Sequence, residues 1–338
     1  MIKKTIVSGI KPTGEITLGN YLGVIKPLIS FQRKFNLEYE YYLFIADLHA
    51  LTVYQKPSVL QERIKKTALI YLSAGFDMTK THLFVQSEIP QHTYLSYLLE
   101  SNSYFSELKH MIQFKEKIRK ERSLKGIRTS LFTYPILMAS DILIYDANIV
   151  PVGQDQKQHL ELTRLLATRF NDLYGKTFCI PQFLKIGHLI KSLNNPLKKM
   201  NKSDQMSQAE DKGCICLLED LKIVKDKIMK AVTDSENKIK YEPEKQPGIS
   251  NLLIIYASLK EWDLNATVAY FQYFSYKKFK EEVANVVVEH LRVFQEKFHN
   301  YERNNLLSQF LEEGAAKARI IAEQKILQIK KRMGIQRY

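Results

Sequence analysis

Short apolar segments alternate with amphipathic ones through the first 190 residues, and this alternation restricts the fold more than any other feature of the chain. Runs at 5–8, 41–46, 83–86 and 149–152 are rich in β-branched and aromatic residues and read as buried strands. Helical patterns follow at about 18–35, 59–74, from 93 onward and at 155–170. Parallel neighbours need a crossover connection, so this order predicts an α/β parallel sheet. Pro27 lies inside the first helical pattern, where a bend is expected because it lacks an N–H. Helical, strongly basic sequence at about 100–134 interrupts the alternation and reads as an insertion. From about 210 onward the pattern is helical throughout. The last helix carries an apolar stripe at Leu311, Ala315, Ala318, Ala322, Ile326, Ile329 and Met333, spaced for one buried face.

Two segments far apart point to phosphate chemistry. Near the start, Gly9 and Gly14 suit a tight turn out of the first strand, and Thr17 is placed to cap the following helix. Gly19 would leave room for a nucleotide, and Asn20 would offer hydrogen bonds to it. The spacing does not fit an ordinary P-loop. About 180 residues later, Lys199-Met200-Asn201-Lys202-Ser203 offers mobile positive charge to the same phosphates. Between them, Tyr134, Met138 and Asp141 fall at i, i+4 and i+7, on one face of a helix. Asp141 stands among apolar neighbours and must find a donor, either in a structural partner or in a ligand. Gly153 permits close approach ahead of a polar run. Asp155 suits either a helix cap or a ribose, and Gln156 can both donate and accept.

Composition narrows the partners. The net charge of +14 is carried mostly by lysine, 38 of the 50 basic residues, so part of it reflects a lysine-rich composition. Between 109 and 128 eight basic residues face two acidic ones, which fits either a solvated helix face or a phosphate-facing surface. Three scattered cysteines fit a reducing, cytoplasmic location. There is no apolar run long enough for a membrane span or a signal peptide. Cys214 and Cys216, with only Cys179 as a third, do not make a four-ligand metal set.

Taken in order, these segments resemble the bacterial-type tryptophanyl-tRNA synthetases, a family of class I aminoacyl-tRNA synthetases. The resemblance runs nearly end to end. Thr17-Leu18-Gly19-Asn20 stands at the HIGH signature and Lys199–Ser203 at KMSKS. Also similar are the segments 47–50, 134–141, 152–162, 231–235 and 247–253. It implies a Rossmann-like parallel-sheet catalytic domain over 1–206, with a helical insertion at about 100–134. An all-α domain over 207–338 would bind the tRNA anticodon, its last helix packing back on the core.

The resemblance further implies a tryptophan–tRNA ligase that uses ATP with Mg²⁺, acts on L-tryptophan and tRNA(Trp), and forms a homodimer. Lys199, Lys202, Asn20 and Thr17 would be catalytic. ATP would meet Lys11, Pro12, Thr13, Gly19, Asn20, Gly153, Gln154, Asp155, Ile190 and the loop Lys199, Met200, Asn201, Lys202 and Ser203. Tryptophan would meet Asp141, Tyr134, Met138, Ile142, Gln156 and His49. Lys11 and Gln154 stand where the family usually has glutamine and glutamate, and Asn201 replaces the first serine of KMSKS. A tyrosyl-tRNA synthetase is the nearest alternative. Met138 speaks against it, because an indole N–H only donates and is suited by the single acceptor Asp141. A tRNA-binding paralogue without aminoacylating activity is the other.

Overall fold

A computed structural model describes residues 3–35, 38–121, 127–151, 153, 156–184, 187–201 and 212–337. Five parallel strands form one sheet in the order β3-β2-β1-β4-β5: β1 Lys4–Ile10, β2 Tyr39–Ile45, β3 Thr81–Val85, β4 Ile149–Pro151 and β5 Gln182–Leu184. β1, β2 and β3 are in register over their lengths, with Ile6 opposite Tyr41 and Tyr41 opposite Thr81. The fifth strand is one the apolar pattern did not reveal, because it is only three residues long and incompletely buried.

Successive side chains point to opposite faces of the strands, and two cores result. One holds Ile6, Tyr41, Leu43, Ile45 and Leu83 against the helices Pro57–Ala74, Pro247–Lys260 and Tyr276–Arg303. The other holds Val7, Tyr42, Phe44, Phe84 and Val150 against Gln91–Glu100, Thr129–Leu143, Lys157–Tyr174 and the last helix, Leu307–Met333. The alanines of the last helix are the reason it can come so close. Ala318 and Ala322 are fully buried, and a Cβ at Gly314 would sit 2.0 Å from the Leu83 carbonyl. After β5, every described element is a helix. No helix among the described residues is long and apolar enough to cross a membrane.

The first helical pattern differs from expectation. It divides into an α-turn at Leu18–Asn20, a π-helical turn at Tyr21–Ile25 and an α-helix at Lys26–Lys34. Pro27 cannot return a hydrogen bond to the carbonyl four residues back, which is Gly23. The widened turn absorbs the defect just upstream, with Lys26 N–H reaching Tyr21 O. Gly187, at φ +66°, packs onto that place, where a Cβ would lie 2.4 Å from Gly23 O.

Candidate active site

The strand order reverses between β1 and β4, since β1 is flanked by β2 on one side and β4 on the other. Ligands of open α/β sheets bind at such a switch point, beyond the carboxyl ends of the strands. A cavity of about 450 Å³ lies there. Gly9, Ile10 and Lys11 reach it from the end of β1, and Val150, Pro151 and Gly153 from the end of β4. Tyr134, Met138, Asp141 and Ile142 reach it from one face of the helix Thr129–Leu143. His49, Thr52, Gln156, Asn20 and Lys199, with Ser8 and Gln113, complete the polar lining.

Asp141 is only 1% exposed. Gln86 Nε2 donates to both carboxylate oxygens, at 2.7 and 2.9 Å. His92 Nδ1 lies 2.5 Å from Oδ1, and His49 Nε2 lies 2.8 Å from Oδ2. Burial by itself would push this carboxyl up, but the hydrogen bonds and charge of His49 and His92 hold its pKa down at about 2. The carboxylate is therefore ionised and acts only as an acceptor. His92 Nε2 continues to Tyr145 Oη at 2.8 Å, so the acid is held from behind by buried groups. Only His49, of its three partners, lines the cavity. Tyr134 is fixed similarly: its hydroxyl donates to Gln113 Oε1 at 2.9 Å and lies 2.5 Å from His159 Nε2.

At the other end, Thr17 and Asn20 form a reciprocal cap. Thr17 N–H and Oγ1 reach Asn20 Oδ1 at 3.0 and 2.8 Å, and Asn20 N–H returns to Thr17 Oγ1 at 3.2 Å. Thr17 is fully buried beneath this cap, and its bonds hold the Asn20 side chain in place. One glycine expectation changes. Gly9 lies within β1 rather than in a turn, and a Cβ there would meet the Phe44 ring at 2.5 Å. Gly19 makes room for the lysine loop, since a Cβ there would lie 3.0 Å from Met200 O. Gly14, at φ +78°, does serve the turn.

Ile190 is 1% exposed, packed in the first core, and its side chain does not line the cavity. Its carbonyl accepts from Met200 N–H at 2.9 Å, so it anchors the loop. Pro12 is buried and Thr13 N–H closes a turn onto Lys11 O; neither side chain lines the cavity. Asn201 is exposed, and its carbonyl accepts from the Cys214 thiol at 2.9 Å. Lys199 lines the cavity, while Gln154, Asp155, Lys202 and Ser203 lie outside the described residues.

Gln86, His92, Gln113 and Thr52 are site residues that the sequence reading missed. Gln86 follows β3 directly, where a polar residue at a strand's carboxyl end is the available signal, whereas His92 lies in the first turn of the helix Gln91–Glu100.

A family model described as tRNA synthetases class I (W and Y) matches residues 3–292. The tryptophan–tRNA ligases of Halalkalibacterium halodurans and Bacillus subtilis are 44% and 41% identical, each match covering 99% of both chains. The solved tryptophanyl-tRNA synthetase from Mycoplasma pneumoniae has a TM-score of 0.88 at 35% identity, covering 99% of each chain. That from Campylobacter jejuni, complexed with ADP and tryptophan, has a TM-score of 0.76 at 29% identity, covering 98% of this chain and 99% of that one. Sheet, switch-point cavity and family model together define a class I aminoacyl-tRNA synthetase of the tryptophan and tyrosine type. Within that class, the chain belongs to the tryptophan–tRNA ligase family.

Proposed function

We propose that the cavity performs the first half of a tryptophan–tRNA ligase reaction, forming tryptophanyl-adenylate from tryptophan and ATP. The observation that carries this reading is the continuity of one cavity, from the buried Asp141 carboxylate to Lys11, Asn20 and Lys199. Asp141 accepts the indole N–H, with Tyr134, Met138, Ile142 and His49 around the ring. Gln156 orients the α-amino and carboxylate groups. The nucleotide lies toward Lys11, Asn20, Gly153 and Lys199, and the Gln154, Asp155, Lys202 and Ser203 roles implied by the resemblance belong to the same end.

The tryptophan carboxylate is ionised at neutral pH, so it attacks the α-phosphate without a general base. What the residues supply is position and charge. Asp141 fixes the indole, Gln156 aims the nucleophile, and Lys199 with Lys202 balances charge as pyrophosphate leaves. Mg²⁺, as the resemblance implies, would enter bound to the triphosphate. The terminal ribose 2′-hydroxyl of tRNA(Trp) then attacks the adenylate. The helices after 207 would form the anticodon-reading domain, and the first 206 residues the catalytic one.

A homodimer is part of the reading. Tyr97, Tyr104 and Phe105, around the start of the insertion, are 62–70% exposed aromatic residues that a second copy would cover. A single species sedimenting at monomer mass at micromolar concentration would remove this part. A chain with only three cysteines accords with a cytoplasmic enzyme. The activity is tested by ATP–pyrophosphate exchange with each of the twenty amino acids. Exchange with tryptophan alone is expected, and none with any amino acid would overturn the reading.

A further inference from the structure

Lys11 follows directly on the carboxyl end of β1 and faces the cavity. Its ammonium donates to Thr52 Oγ1 at 3.3 Å, and that hydroxyl donates in turn to His49 O at 2.9 Å. Thr52 is 8% exposed, so it offers the lysine a fixed tether. An ammonium has three N–H donors, and the tether uses one. Among the described residues, no carboxylate lies within ion-pair range of Lys11. The side chain is open to the cavity, yet the protein around its ammonium desolvates it and lowers its pKa below the ordinary lysine value. A partly desolvated cation without a counter-charge is a place made for an anion.

The tether also says where along the cavity that anion lies. Thr52 is bound to the backbone of His49, which touches Asp141 at the indole end. Lys11 is thus tethered beside the residue that meets the indole acid, in the cavity that Asn20 and Lys199 also line.

We infer that Lys11 is a catalytic residue that contacts both reacting anions, the tryptophan carboxylate and the ATP α-phosphate, and offsets their mutual repulsion as they meet. The inference rests on the adenylation reading above and gives the reacting centre itself a cation, distinct from the loop lysines that serve the leaving group. In the step, a carboxylate oxygen bonds to the α-phosphorus as the bond from that phosphorus to the bridging oxygen breaks. The electron pair departs with pyrophosphate, and Lys11 keeps all its protons throughout. Thr52 is the positioning residue that holds the ammonium in line.

Lys11→Met keeps the alkyl stem and removes the charge. In tryptophan-dependent exchange its kcat is expected to fall about 100-fold or more, the usual loss for one preorganised donor to a transition state. The KM values for tryptophan and ATP should each move less than about three-fold, because the interaction strengthens only as the anions converge. Lys11→Arg should regain roughly ten-fold over Lys11→Met. Thr52→Val should slow the wild-type enzyme but add little to Lys11→Met, since the two act as one unit. A Lys11→Met kcat within about three-fold of wild type would overturn the inference, as would a loss confined to KM or independent, multiplicative effects of the two substitutions. Wild-type protein lacking tryptophan-dependent exchange would instead defeat the reading of the whole site.

Discussion

Asp141 shows how a single residue type acquires a function from its surroundings. Desolvation would favour the neutral acid, and three polar partners reverse that preference, leaving an acceptor-only group at the cavity wall. A site that relies on a substrate's hydrogen bond discriminates strongly against analogues that lack it. Asp141→Asn should therefore raise the tryptophan KM in pyrophosphate exchange by at least about 30-fold, equivalent to roughly 2 kcal/mol of a charge-assisted hydrogen bond. An unchanged KM would remove Asp141 from the indole pocket. The spacing of Tyr134, Met138 and Asp141 made their shared face legible, because helical geometry fixes it locally. The contact of Gln86 and His92 with that carboxylate was not legible: they lie 55 and 49 residues away and meet it only through tertiary packing.

At the scale of elements, the lysine loop is held by the helical half of the chain. Lys191 forms an antiparallel bridge with Lys199, and Ser192 N–H donates to Lys198 O at 2.9 Å. Asn251, in the helix Pro247–Lys260, grips both backbone groups of Lys191, accepting from its N–H at 2.7 Å and donating to its carbonyl at 2.9 Å. Gly248 on the same helix allows the approach of Val232, whose carbonyl would be 2.0 Å from an added Cβ. The segments 231–235 and 247–253 thus meet each other and brace the loop stem, a role that sequence order does not reveal. Asn251 is 2% exposed, and removing its amide would leave the partly buried Lys191 backbone groups without this partner. Asn251→Ala is expected to cost about 2 kcal/mol of stability in denaturant titration and to slow adenylation more than it weakens tryptophan binding. Full exchange activity in a destabilised Asn251→Ala would separate the stem from catalysis.

On the scale of the whole molecule, distant segments meet on the two faces of one sheet. His290, from Tyr276–Arg303, lies 3.0 Å from Tyr21 Oη in the π-helical turn, while Lys26 pairs with Glu261 at 2.6 Å. Lys325 of the last helix is 7% exposed and reaches Asp146 and the Thr177 carbonyl, pinning that helix to the catalytic sheet. Desolvation, followed by the charges of Lys26 and Lys297, lowers the His290 pKa to about 4. The unfolded chain, with a histidine near 6.5, then binds more protons than the native one between these values. This contribution to stability is complete above about pH 6.5 and is lost progressively as pH falls toward 4, by about 3 kcal/mol. Melting of the wild type from pH 7 to pH 4.5 should show the loss, and His290→Gln should flatten that part of the profile. An identical slope in the variant would assign the acid sensitivity elsewhere.

The amino-acid sequence by itself determined the alternation that builds a parallel sheet, the helix face carrying Tyr134, Met138 and Asp141, and the apolar stripe of the last helix. These are periodicities of 2 and 3.6 residues, written along the chain and independent of distant contacts. Tertiary structure alone decided that Gly9 yields to Phe44, that Gly19 yields to Met200, and that Pro27 is relieved by a π-turn. It also placed Ile190 in the core, tethered Lys11 to Thr52, and surrounded Asp141 with Gln86, His49 and His92. Each of these depends on the close approach of groups far apart in the chain, which packing fixes and local pattern does not encode.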